Sequence, residues 1–484
     1  MIGDTDKDYA NLMACLDGAS NAVAELYGTN HMKYARLLHQ KGNFHGAHKE
    51  HSQAIDAYVE ALRIYKGEHG DSHLSVANTL FNLGVSLNAK GTPDKAIRCF
   101  TKALRITSAR LGEDHLDVAD TFEQVAESNK LLHRYNDTVN FYEKALAVRK
   151  EATGGGDVKS AAIMYEIGKI QYQQELWGES EKAFKESIRI RTVQIGQDDP
   201  LVAESMYSLG LVFKSRSDNS KALKYMEGSL RIRKSKLTDT DPQLADNFHS
   251  LGELHSVIGN ADKSVFCFDK AMEIYTEVNG KNSNEVALSL RGKGESLRLS
   301  EQLTEALACF SEWLDIRKEI DGPAPGKESG DVLTLMGDVY SQLGDSTSAS
   351  SSFASALTTY RQIFGTKHPT VADVLQRMSI HFVKVKEYER GYSCVKEALA
   401  LRQTLLGQDD AKTGDSHYCM GTILYEWKNY SEASIEFERA RDVHKDKLGD
   451  AHLSVANSNY YLGCIHGKLL CVFCRKIYFY ILYA

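Results

Sequence analysis

Small residues recur along this chain on a nearly constant 42-residue ruler: Gly42, Gly84, Ala126, Gly168, Gly210, Gly252, Gly294, Gly337, Ser379, Gly421 and Gly463, with a single 43-residue step between Gly294 and Gly337. A fixed period between about 20 and 50 residues marks an array in which each unit buries its apolar face against its neighbours. Function in such an array is expected on an extended surface rather than in one catalytic cleft.

Inside the second unit, Leu80, Leu83, Gly84 and Leu87 fall at i, i+3, i+4 and i+7, the apolar stripe of a first helix, A. Gly91 and Thr92 interrupt it, and Ala96, Phe100, Ala103 and Leu104 form the stripe of a second helix, B. Small residues at 84, 96 and 103 let the two helices approach, with Phe100 filling the space between them. Linkers such as LGEDHLDVAD and GQDDPLVAES join the units. Pro200, Pro242 and Pro369 open the next helix A, and the Asp or Thr just before them is the expected cap. The third unit (Ala126, Thr138) and the ninth (Ser379, Gly391, Val395) depart from the pattern and are expected to be looser joints.

The order Leu, Gly, then Ala, Phe, Ala resembles the tetratricopeptide repeat, and the 42-residue period with its LGxDHPxVA-type linker is similar to the repeats of kinesin light chain and related proteins. The resemblance covers residues 33–465 and implies an all-α, right-handed superhelical solenoid of antiparallel helix pairs. Residues 1–32 carry no sustained heptads and read as a capping helix, while residues 466–484 form an atypical apolar tail. That tail reads either as an aberrant chain end or as a greasy final helix needing a partner; Phe479 lands on the aromatic position.

The resemblance also implies that helix A lines a concave wall that holds peptides. The column six residues before the anchors includes Asn78, Asp120, Glu204, Asp246, Asp331, Asp373 and Asp415, six of its eleven members being acidic; the column three before includes Phe81, Glu123, Tyr165, Tyr207, His249, Arg291 and Tyr418. One after it are Glu127, Glu253, Glu295 and Asp338, while Asn82 and Glu166 represent the column where the light chains carry Asn. An acidic, ring-rich groove suits a peptide with Lys or Arg and apolar anchors. Acids early in a helix are equally accounted for by the macrodipole.

A net charge of −7, from 58 basic and 65 acidic residues, disfavours nucleic acid as a general partner. The opening MIGDTDKDYANLMAC lacks a basic start and an apolar run, so a cytoplasmic, non-membrane protein is expected, and the kinesin light chain resemblance implies association with the cytoskeleton. Cys99, Cys267, Cys309 and Cys394 share one repeat position, a packing choice rather than a disulfide framework, and Cys471 and Cys474 form a lone CxxC. His48 and His51 suggest a metal pair at i, i+3, but no matched ligand accompanies them. GPAPGKESG at 322–330 has Asp321 where a phosphate loop needs its first Gly, and reads as a linker insertion. With neither cofactor, metal nor catalytic constellation recognisable, the expectation is a non-catalytic scaffold. The alternatives are a cargo-binding light chain with a motor heavy chain as partner, and the regulatory arm of a larger NTPase-type enzyme.

Overall fold

A computed structural model describes the backbone of residues 2–322 and 326–483 and the side chains of 9, 11–322 and 326–468. Among the described residues it is all-α, a repeat solenoid of 22 helices. The chain divides into two compact units, Met1–Leu237 and Thr238–Ala484.

The first unit opens with α1 (Ile2–Tyr27). Five A–B pairs follow: α2 (Met32–Ala47) with α3 (His51–His69), α4 (Leu74–Ala89) with α5 (Pro93–Leu111), α6 (Leu116–Leu131) with α7 (Tyr135–Thr153), α8 (Val158–Gln173) with α9 (Trp177–Ile195), and α10 (Pro200–Ser215) with α11 (Asn219–Lys236). Helix α1 rests on α2, where Tyr9 stacks on His48 with ring centroids 3.7 Å apart and Asp17 pairs with Lys41.

The second unit has five more pairs: α12 (Pro242–Ile258) with α13 (Ala261–Asn279), α14 (Asn284–Leu299) with α15 (Leu303–Asp321), α16 (Lys327–Leu343) with α17 (Ser346–Phe364), α18 (Pro369–Lys384) with α19 (Tyr388–Leu405), and α20 (Ala411–Glu426) with α21 (Tyr430–Leu448). It ends in α22 (Leu453–Tyr483). No turn divides α22 into an A and a B helix. The side chains of Cys471, Cys474 and Phe479 lie outside the described residues. Among the described residues no helix is long and apolar enough to cross a membrane.

The 42-residue anchor is the point of closest approach between A and B. A Cβ added to Gly84 would lie 2.6 Å from the Phe100 ring, and the same atom on Gly337 would lie 2.7 Å from Phe353. Phe100, Phe184, Phe268, Phe310, Phe353 and Phe437 are all essentially sealed from solvent. The two irregular repeats solve the same packing problem by exchanging volume. Ser379 faces Val395 instead of a ring, and the glycine moves to Gly391, whose added Cβ would come within 3.2 Å of the Ser379 carbonyl oxygen. Ala126 faces Tyr142, whose hydroxyl donates to Glu127. Both cores are closed, with Tyr142 1% and Val395 0% exposed.

Between A and B, the residue seven after each of the first ten anchors adopts a left-handed conformation. Gly91, Gly259 and Gly344 occupy it at φ 79°, 85° and 82°, but Lys49, His133, Glu175, Ser217, Glu301, Lys386 and Lys428 do so with side chains, at φ 57–65°. The amide of the next residue closes a six-to-one bond, as from Glu387 to the Phe382 carbonyl at 2.8 Å, so the turn hydrogen bonds hold the strained residue in place. A left-handed L-residue costs about 1–2 kcal/mol.

The helix-A caps also differ from expectation. Asp199 and Asp241 cap as expected, but before Pro369 the cap is His368, not Thr. Imidazole Nδ1 accepts from the second helical amide at His31, His73, His115, His368 and His452, over 3.1–3.3 Å.

Two outcomes follow from this packing. Gly84→Ala overpacks the A–B contact and lowers stability by about 1–3 kcal/mol in urea unfolding, whereas Gly67→Ala, where an added Cβ meets nothing within 4 Å, is neutral or stabilising. Lys386→Gly relieves the left-handed turn and raises the stability measured by urea unfolding by about 1 kcal/mol.

Candidate peptide-binding wall

Five of the six carboxylates that stand six residues before an anchor are held by helix B of their own repeat, at a position 29 residues later. Arg149 pairs with Asp120, Arg402 Nη2 with Asp373 Oδ1 at 2.6 Å, and Tyr360 donates to Asp331. Tyr275 donates to Asp246 at 2.6 Å, and His444 Nε2 contacts Asp415 at 3.1 Å. Glu204 receives Arg191 of the preceding repeat at 3.0 Å.

These arginines are buried: Arg149 is 2%, Arg191 3% and Arg402 6% exposed. A guanidinium taken from water needs carboxylates and further acceptors around its planar fork. Arg149 reaches Asp157 at 2.7 Å as well as Asp120; Arg402 adds the Lys412 carbonyl at 2.9 Å, Ser416 Oγ at 2.8 Å and Gln376. Sequence reading missed this column of Arg149, Arg191, Arg233 and Arg402. The signal was present, because each stands seven residues after the core residue of helix B, on the buried stripe itself.

The ring column lies half in the core. Phe81 meets Phe100 edge-on at 5.7 Å, Tyr165 meets Phe184 at 5.5 Å, His249 meets Phe268 at 5.4 Å and Tyr418 meets Phe437 at 5.5 Å. Tyr207, in the repeat whose core residue is Met226, lies under the Arg233 guanidinium at 4.7 Å. Burial pushes the Tyr165 hydroxyl up to about 12, and it lies 3.3 Å from Ser208 Oγ.

In the third repeat the same position is Glu123. Burial raises its carboxyl, and Arg149, at 4.0 Å, only partly offsets this. Asn78 is exposed, and Asn82 donates to Asn43 Oδ1 at 3.1 Å. Burial would also raise Glu166, but hydrogen bonds from Lys130 and Lys169, each 3.0 Å, outweigh it and hold the carboxyl below the usual range.

In the second unit the wall contains three adjoining recesses. The first, about 370 Å³, lies between α12 and α14 and is lined by His249, Glu253, Arg291 and Glu295. The next, also about 370 Å³, shares Arg291 and Glu295 and adds Asp331, Asp373 and Arg377. The third, about 510 Å³, shares Asp373 and Arg377 and extends to Arg298, Asp338, His381, Lys384 and Arg402. Four expected wall residues, His249, Arg291, Asp331 and Asp373, therefore meet along one groove. Each of the first two recesses holds one more carboxylate than it has Arg or Lys side chains. The third holds four cations against two carboxylates.

The set-aside signals resolve simply. His48 caps the end of α2 and His51 begins α3, so they flank a turn and share no helical face. No cluster of three potential metal ligands occurs among the described residues, and the described cysteines are free thiols. Part of GPAPGKESG, residues 323–325, lies outside the described residues; Gly326 then caps α16.

Residues 68–151, 159–235 and 243–319 match the tetratricopeptide repeat family. Over 97 residues, 20% of this chain, the sequence is 27% identical to the clustered mitochondria protein homolog of Candida albicans, of whose length it spans 7%. The fold is similar to the apo form of RapI, with a TM-score of 0.51 at 11% identity, covering 77% of this chain and 98% of that one. A second similar structure is BtubC (BKLC) from P. vanneervenii, with a TM-score of 0.41 at 22% identity over 48% of this chain and 92% of that one.

If Asp373 chiefly satisfies Arg402, Asp373→Asn costs about 1–3 kcal/mol in urea unfolding, because a buried guanidinium loses its carboxylate. A carboxylate serving only a ligand costs close to nothing. The raised Glu123 carboxyl gives a pH test. Its ionised form is penalised in the fold, so stability from this site is present at low pH and lost as pH rises through the folded pKa. Glu123→Gln therefore stabilises at pH 7, and the gain disappears on acidification.

Proposed function

From a chain built of tetratricopeptide repeats, we propose a non-catalytic protein-interaction scaffold that binds extended peptide segments along its A-helix wall. The observation that carries this reading is the continuous groove of the second unit, where His249, Arg291, Asp331 and Asp373 line three recesses in succession. Modest contacts summed over several repeats supply affinity without a deep pocket. In the α12–α16 part, the surplus carboxylate of each recess suits a Lys or Arg of the peptide. In the first unit, Phe81, Tyr165 and Tyr207 are half-buried rings suited to apolar anchors, beside Asn78, Asn82, Asp120, Glu123, Glu166 and Glu204. Tyr418 plays the same part in the second unit.

The finer assignment, a kinesin light chain-like subunit with a motor heavy chain as partner, is supported by the 42-residue period and the linker sequence. The broader reading does not depend on it.

Panning a random peptide library against the full chain tests the proposal. Selected peptides are expected to lose about tenfold in affinity on Glu253→Gln with Glu295→Gln, and to keep it on Glu312→Gln, which lies in a recess lined by helices α13 to α15. Equal binding to all three proteins would remove the wall from the function.

A further inference from the structure

The third recess differs in sign from the rest of the groove. It lies where the last turns of α14, α16 and α18 converge, bringing Arg298, Ser341 and Lys384 to one place. Two of its four cations are already neutralised, Arg377 by Asp338 and Arg402 by Asp373. Arg298 and Lys384 form no ion pair among the described residues, but both act on Asp338 alongside Arg377 and partly offset the burial that raises its carboxyl. His381 adds no charge: burial pushes its imidazole down, and its ring nitrogens face the Ser341, Ser346 and Ser350 hydroxyls at 2.9, 3.3 and 3.4 Å.

A cation in a last turn is favoured by its helix dipole, which is worth about 0.3–1 kcal/mol and needs no ligand. The dipole does not account for Arg298 Nε, which is buried and has no hydrogen-bond partner. Such a donor costs about 1–3 kcal/mol, as much as the dipole returns or more. A recess lined by a guanidinium and an ammonium with surplus positive charge suits an oxyanion.

We propose that this recess is the anion-binding subsite of the groove, in which Arg298 and Lys384 receive a carboxylate or phosphoryl group of the bound peptide. The inference rests on the wall reading and gives it polarity. The α12–α16 part takes cationic side chains, the α16–α18 end takes the anionic one, and the peptide is held in one direction.

The test uses the full chain and three fluorescein-labelled Gly-Ser peptides of equal length, carrying four Glu, four phosphoserines or four Gln, read by fluorescence anisotropy. The Glu or phosphoserine probe is expected to bind at least about tenfold tighter than the Gln probe, with an advantage that shrinks as salt rises. A preference for phosphoserine over Glu assigns the subsite to phosphoryl groups, and parity assigns it to carboxylates. Arg298→Gln with Lys384→Gln is expected to abolish the advantage, while Lys270→Gln with Lys281→Gln, an equal loss of charge on α13 and its following linker, preserves it. Thermal melts of both doubles confirm that they remain folded.

No discrimination among the three probes, or the same loss in both double variants, would overturn the subsite. Library-selected peptides that still depend on Glu253 and Glu295 would then leave the wall reading standing. Peptides indifferent to those residues would remove both.

Discussion

Everything in this chain depends on how closely helix A approaches helix B at the 42-residue anchor. At seven glycine anchors the facing ring lies where a Cβ would be and the pair closes over a sealed aromatic, and at Gly210 Met226 takes that place. Closing the pair fixes which side of each A helix is left to face outward, and so fixes the wall. The ninth repeat shows that the constraint is a volume and not a residue type: Ser379, Val395 and Gly391 redistribute the same space, and the core remains shut.

A second constraint follows from the first. Beyond the aromatic, the buried stripe of helix B reaches the underside of the next wall position, and several repeats place arginine there. Burying Arg149, Arg191 and Arg402 demands carboxylates, so much of the acidic character of the A helices serves the fold. What remains for a ligand is the residual charge of each recess, and along the second unit that residue changes sign.

The helix pairs were legible in the sequence because the anchor, the turn and the stripe of helix B repeat together. The acidic and ring columns were also legible as columns, but their partners were not. Pairing Asp373 with Arg402 requires knowing that two helices 29 residues out of register place those side chains together. Histidine caps were missed because imidazole is an uncommon cap, though it accepts from the backbone much as aspartate does. His48 and His51 looked like a ligand pair only on the assumption of one unbroken helix, and the left-handed Lys49 between them ends that helix. The uninterrupted α22 lacks the Gly or polar break that separates A from B elsewhere, and the backbone continues accordingly.

The most direct measurement is hydrogen–deuterium exchange on the full chain with and without a library-selected peptide. The account predicts added protection in α12, α14, α16 and α18, the helices that line the groove, with α13, α15 and α17 unchanged on their outer faces. Protection confined to the B helices or to the inter-repeat linkers would contradict it.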